Sequence, residues 1–199
     1  MPVDYKVAEF VMNRIVRTFL ALNLPKDIIA SISRIQKDLM AYNLNIKEVK
    51  PENIHLTLKF LGDTRISDME RIHHAIKDTA SDFSPFLLAA KGVGVFPDLR
   101  RPKVIWVGIS EEIDRLVLLQ KQLDKKLNEI GFNKEKRTFK GHLTIGRIKG
   151  NINRKIFDEI LSKHQQFCTK TFFANRIYLL QSVLKTTGPI YSKLMSVQL

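Results

Sequence analysis

An α+β fold of antiparallel sheets is the architecture that this chain predicts, on three observations. Strand-like and helix-like segments alternate along it, but adjacent strand pairs also occur, which suits antiparallel sheets better than a doubly wound parallel sheet. The length, 199 residues, fits one compact domain or two small lobes sharing a core. Hydrophobic residues make up 44%, enough for a real interior, and no low-complexity linker divides the sequence.

Each element has a local reason. Residues 17–24, RTFLALNL, read as a strand, and Pro25 then suits the first turn of a helix. That helix places Ile28, Ile32, Ile35 and Leu39 on one face. Residues 54–61 read as a strand. Ser67 and Glu70 have capping-box spacing, which opens a helix running to about Ala80. Residues 86–95 are strand-like, FPDLRRP at 96–102 is a loop with proline near both ends, and VIWVGI at 104–109 is a buried strand. Residues 111–130 form the clearest helix, with Ile113, Leu116, Leu123, Leu127 and Ile130 on one side and Gly131 as its stop. Residues 139–148 are strand, and Asn153 caps a helix to about His164. Residues 170–184 and 191–199 are strands, the second following a Gly188-Pro189 turn. Residues 1–16 read as an N-terminal extension to a domain spanning 17–199, with Met12 as an alternative start.

Composition narrows the function. The opening sixteen residues carry acids and lack a long apolar core, so no secretory signal is expected. No stretch approaches the roughly 18 apolar residues of a membrane span, so a soluble cytoplasmic protein is the expectation. The single cysteine, Cys168, has no partner for a disulfide or a zinc site and reads as a small hydrophobe in a strand. Lysine and arginine number 33 against 20 acids, a formal charge of +13 that favours anionic partners such as nucleic acid. Residues 134–155 concentrate eight basic side chains against one acid, Glu135. A solvated lysine-rich face would look the same.

One pattern occurs twice. Residues 54–61 read IHLTLKFL and residues 141–148 read GHLTIGRI, each with His-apolar-Thr-apolar. Side chains alternate across a strand, so His55 and Thr57 share one face while Ile54, Leu56, Leu58 and Phe60 point into a core. His142 and Thr144 likewise share a face, opposite Leu143 and Ile145. Breaking a phosphodiester needs one group to take a proton from the attacking oxygen and another to give one to the leaving oxygen. Two imidazoles, each with an unperturbed pKa near about 6.5, do both at neutral pH without metal. Threonine hydroxyls can donate to non-bridging phosphate oxygens, where charge builds. The competing reading is two ordinary half-buried strands with satisfied histidines, but the pattern repeats in a chain with only five histidines. His73, His74 and His164 have no partners at metal-ligand spacing and read as structural or surface residues.

These residues resemble the two-histidine phosphoesterase superfamily, and within it the RNA 2′,3′-cyclic phosphodiesterases, also called 2′-5′ RNA ligases. The resemblance runs from about Arg17 to Leu194. It is carried by RTFLALNLP, PENIHLTLKFLGD, GVGVFPDLRRPKVIWVGI, FKGHLTIGR and LLQSVLKTTGPIYSKL. It implies a bilobal fold, with two pseudo-symmetric antiparallel sheets backed by helices around a central cleft. It implies opening of a terminal RNA 2′,3′-cyclic phosphate to a 2′-phosphate, with no cofactor and no metal. In the related ligation a 5′-hydroxyl RNA end replaces water. By family roles His55 is the proton donor and His142 the acceptor, while Thr57, Thr144 and Arg147 bind phosphate.

Two positions depart from simple expectation. Gly141 stands where the family commonly has proline. Arg147 occupies the place of a phosphate-binding arginine, yet strict alternation points it away from His142 unless a bend or bulge at Gly146 brings it back. The basic 134–155 segment, with Arg100 and Arg101, would attract an RNA backbone. A monomer is the expected state. The alternatives are a phosphodiesterase for small cyclic nucleotides or cyclic sugar phosphates, and a non-catalytic RNA-binding module.

Overall fold

The structure is a computed structural model, and it describes residues 13–199. Met12 and most of the expected N-terminal extension lie outside the described residues. Among the described residues, nine strands and four α-helices follow in the order β1 (Ile15–Leu22), α1 (Lys26–Ala41), β2 (Ile46–Glu48), β3 (Leu56–Arg65), α2 (Met69–Ala80), β4 (Phe86–Phe96), β5 (Val104–Glu111), α3 (Ile113–Glu129), β6 (His142–Ile148), α4 (Arg154–Lys163), β7 (Phe172–Ala174), β8 (Arg176–Lys185) and β9 (Gly188–Gln198). All the strand pairings are antiparallel.

The strand order is β7-β4-β5-β6-β3-β1-β8-β9, with β2 on β6. Each half of that order is a four-stranded antiparallel sheet. The halves meet at one residue pair, Leu56 with Leu143. The two expected sheets are therefore continuous at their junction and splay apart beyond it. The junction residues are the apolar neighbours of the two motif histidines, so the hinge between lobes and the repeated motif coincide.

One apolar core lies under the helices. Ile28, Ile32, Ile35 and Leu39 of α1, Ile72 and Ile76 of α2, and Leu116, Leu119, Leu123 and Leu127 of α3 are buried in it with Leu20, Leu22, Leu56, Leu58, Leu143 and Ile145 from the strands. Each such side chain is worth about 1.5–3 kcal/mol when buried. Gln36, also buried, ties α1 to the site strands by donating to the carbonyls of Val49 (2.7 Å) and Ile145 (2.9 Å). On the other face of β1, Phe19 and Ala21 form a small second cluster with Leu180, against which Tyr178 and Tyr191 pack. Strand β1 is thus apolar on both faces over Phe19–Leu22, as its run FLAL requires.

The helix ends follow the sequence in part. Helix α3 ends in a Schellman motif: Gly131 has φ +100°, its N–H donates to Asn128, and Phe132 N–H donates to Leu127, each at 3.0 Å. Asn153 caps α4, its side-chain oxygen accepting from Ile156 N–H at 3.3 Å. Asn153→Ala is expected to cost about 1 kcal/mol in urea unfolding; an unchanged midpoint would show that the cap is idle. The capping box expected at Ser67 and Glu70 is absent. A 3-10 turn, Ile66–Asp68, leads directly into α2, and its N-cap makes no side-chain hydrogen bond.

Other boundaries shift. Strand β1 opens at Ile15, two residues ahead of the expected start. The long strand expected at 170–184 breaks at Asn175 into β7 and β8, which sit at opposite ends of the sheet order. Cys168 lies in an isolated one-residue bridge to Lys91 and is exposed, so it is not the packed strand hydrophobe the sequence suggested.

Candidate active site

The strands that meet at Leu56 and Leu143 carry the two motifs to a common cleft of about 420 Å³. His55 directly precedes β3, after a 3-10 turn at Pro51–Asn53, and His142 is the first residue of β6. His55, Thr57, His142, Thr144 and Arg147 all line the cleft. The apolar partners Leu56, Leu58, Leu143 and Ile145 are buried on the other side, as alternation predicts.

The two imidazoles are held alike. The Nδ1 of His55 lies 2.7 Å from the Asn53 carbonyl oxygen, and that of His142 lies 2.7 Å from the Lys140 carbonyl oxygen. A carbonyl can only accept, so each Nδ1 carries the proton and donates it. Each Nε2 is then left as the acceptor in the neutral ring and as a second donor in the charged one. Aromatic rings bracket both: Phe19 (4.8 Å between centroids) and Tyr191 (5.2 Å) for His55, Phe96 (4.9 Å) and Trp106 (6.4 Å) for His142.

Burial perturbs the His55 ring. Desolvation holds the His55 pKa down to about 4; the Asn53 carbonyl opposes this, and the charge of His142 adds to it. In the free protein His55 is therefore neutral at pH 7. Tyr191, half-buried over the same ring, is pushed upward by burial, against the opposing pull of the Arg147 and Arg17 guanidinium groups. Its phenol stays protonated and able to donate.

Two bulges decide which side chains reach the cleft. In the pairing of β6 with β5, Ile105 faces Gly146 but Trp106 faces Thr144, so Ile145 is an extra residue. Ile145 and Gly146 both turn inward, and Arg147 returns to the side of His142 and Thr144. Gly146 is needed there because a Cβ would come within 2.9 Å of Ile46 Cγ2 on β2. In β3, Ala21 faces Thr57 but Leu20 faces Lys59, so Leu58 is extra. Lys59 goes into the interior beside Asp124, and Phe60, expected in the core, emerges on the cleft at 65% exposure.

The cleft also holds residues the motif search passed over. Arg17 comes from β1, Lys47 from β2, Lys50 from the turn before β3, and Tyr191 from β9. Lys47 is the register partner of Arg147. Of the basic 134–155 segment, only Arg147 and Lys149 line this cleft; Arg100 and Arg154 border a separate groove beside α4. The signal for Tyr191 lay in the segment GPIYSKL, without a spacing rule to single it out. His73 and His74 are exposed on α2, and His164 lies by Asp38, all outside the cleft. Among the described residues no group of three or more His, Cys, Asp or Glu side chains converges.

A bilobal antiparallel fold that brings two imidazoles of matching tautomer to one basic cleft defines a two-histidine phosphoesterase. The family described as LigT-like phosphoesterase matches the chain twice in succession, at residues 22–106 and 107–191, one histidine motif in each half. A Methanothermobacter thermautotrophicus protein named RNA 2′,3′-cyclic phosphodiesterase is 37% identical over 177 residues, covering 89% of this chain and 95% of that one. One of the same name from Aquifex aeolicus is 35% identical over 182 residues, covering 90% and 95%. A crystal structure of a Thermus thermophilus protein superposes with a TM-score of 0.78 at 24% identity, covering 92% of this chain and 97% of that one, a likeness of fold. The chain belongs to the LigT-like phosphoesterase family.

Proposed function

We propose that this protein hydrolyses the terminal 2′,3′-cyclic phosphate of RNA to a 2′-phosphate, without a metal or cofactor. In this reading water attacks phosphorus in line with the 3′ oxygen. The new oxygen–phosphorus bond forms as the bond from phosphorus to O3′ breaks. His142 Nε2 takes the proton from water, and His55 Nε2 gives a proton to O3′. Thr57 and Thr144 donate to the non-bridging oxygens, and Arg147 offsets their charge. A 5′-hydroxyl RNA end in place of water forms a 2′-5′ linkage. The working unit is a monomer, a single domain over residues 17–199, acting in the cytoplasm.

The observation that carries this reading is the shared tautomer: both Nδ1 protons are committed to backbone carbonyls, so each ring meets substrate through Nε2. Because His55 is neutral in the free protein, its role as donor requires proton uptake as the substrate binds. A phosphodiester anion beside the ring favours the imidazolium and supplies that driving force. The names of the two relatives support the substrate.

The test is incubation with an RNA oligomer ending in a 2′,3′-cyclic phosphate in excess EDTA, with the product isomer identified. A 2′-phosphate is expected. A 3′-phosphate product would reverse the bond assignment, activity lost in EDTA would remove the metal-free mechanism, and tight RNA binding without product would leave a binding module.

A further inference from the structure

Past Gln181, strand β8 parts from β1, and residues 182–191 pair with one another across the β8–β9 hairpin. Burial does little to hold that ribbon: Leu184 near its tip is 68% exposed, and Val183 and Ile190 are exposed as well. A two-stranded hairpin is marginally stable by itself in water. Among the described residues a single hydrogen bond ties this ribbon to the rest of the protein, from Asn53 Nδ2 to the Pro189 carbonyl at 3.0 Å. Asn53 is also the residue whose own carbonyl accepts from His55 Nδ1 at 2.7 Å. Its side chain thus reaches the strand that carries Tyr191, two residues past Pro189, and Tyr191 meets the His55 ring edge to face with centroids 5.2 Å apart. The carbonyl half of this arrangement stands on backbone geometry alone. Asn53 N–H donates to Lys50 and Ile54 N–H to Pro51, which closes the 3-10 turn without the side-chain amide.

We propose that Asn53 is a positioning residue of the acid–base pair, its side chain latching the β8–β9 hairpin so that Tyr191 stays closed over His55. This rests on the phosphoesterase reading above and deepens it: the proton donor is supported by a segment from the far end of the chain. With the latch removed, the turn and its carbonyl on Nδ1 remain, but water reaches the ring at the Tyr191 face. A hydrated imidazole holds its proton to higher pH than a buried one. The titratable and charged side chains that share the cleft with His55 are Arg17 of β1, Lys47 and Glu48 of β2, Lys50 of the turn, His142 and Arg147 of β6, Lys149 just after it, and Tyr191. Tyr191 alone of these lies on the hairpin, and its phenol is uncharged, so releasing the hairpin changes hydration at the ring without moving a charge.

The test is heteronuclear NMR of histidine-labelled protein without substrate, read beside the pH profile of kcat/KM on adenosine 2′,3′-cyclic phosphate. In the unaltered protein His55 should titrate near pH 4, with the neutral ring protonated on Nδ1. In Asn53→Ala the titration should move up toward the ordinary imidazole value of about 6.5 with the tautomer kept. The rising limb of kcat/KM should follow it, lowering kcat/KM about tenfold at about pH 5. Asn53→Leu, of similar volume but without the donor, should do the same, so the test survives if the alanine variant is poorly folded. Tyr191→Ala should shift the titration as far, with no further shift when combined with Asn53→Ala. A His55 titration unmoved in both Asn53 variants overturns the latch, and so does an added shift in the double variant, because Asn53 would then act other than through Tyr191. If the titrations behave as stated but the unaltered protein does not open the cyclic phosphate, the reaction fails and the latch stands. Urea unfolding curves check that the variants are folded.

Discussion

Replacing His55 or His142 with alanine is expected to lower kcat on a 2′,3′-cyclic phosphate by about 10²–10⁴-fold each, with urea stability little changed for the cleft-facing His142. Each ring has a single route to the substrate, through Nε2, because Nδ1 is held by a carbonyl at 2.7 Å. No other histidine lines the cleft to take over. The double variant should lose far less than the product of the two single losses, since an acid without its base has little left to contribute. If either single variant turned over at the unaltered rate, the acid–base pair would be wrong.

The same pair sets the pH dependence. Burial disfavours the His55 imidazolium, so its proton leaves at lower pH than from an ordinary imidazole. The productive pair holds one proton, so kcat/KM, which reports the free enzyme, should rise with pH as the doubly protonated pair gives up its first proton, from His55, near pH 4. In the substrate complex the phosphodiester charge favours the imidazolium, so the limb of kcat should lie at higher pH. A rising limb of kcat/KM at the ordinary imidazole value of about 6.5, in place of one near 4, would show that Phe19 and Tyr191 do not desolvate the ring.

The second large effect concerns stability. Lys59→Met is expected to destabilise the fold by about 3–5 kcal/mol, which at this size lowers Tm by roughly 6–20 °C. Lys59 and Asp124 are 5% and 6% exposed, and they form an ion pair between β3 and α3. Lys59 also donates to the Asn133 carbonyl at 2.7 Å, and Asp124 accepts from Glu135 N–H at 3.1 Å. Removing the lysine alone strands a carboxylate in the interior. Removing both, as Lys59→Met with Asp124→Leu, should recover much of the loss, because the intact pair also carries a desolvation cost. Equal stability of Lys59→Met and the unaltered protein in urea would show that the pair is not the brace described.

The sequence alone determined most of the secondary structure and the central pair. Periodicities of 3.6 and 2 locate α1, α3 and the motif strands because one face of each is buried, and burial writes its period into the residues. The doubled His-x-Thr pattern was legible for the same reason: each copy sits on a strand whose alternate residues fill the core. Tertiary structure decided the parity at the bulges. One extra residue in β3 and one in β6 move Phe60 out and Lys59 in, and bring Arg147 onto the cleft. A bulge arises from how neighbouring strands pair, so a single strand read by itself carries no mark of which residue will be skipped. Distance along the chain hid the rest. Arg17, Lys47 and Tyr191 meet His55 and His142 only because the two half-sheets join at Leu56 and Leu143, and a contact between remote segments leaves no local spacing to read.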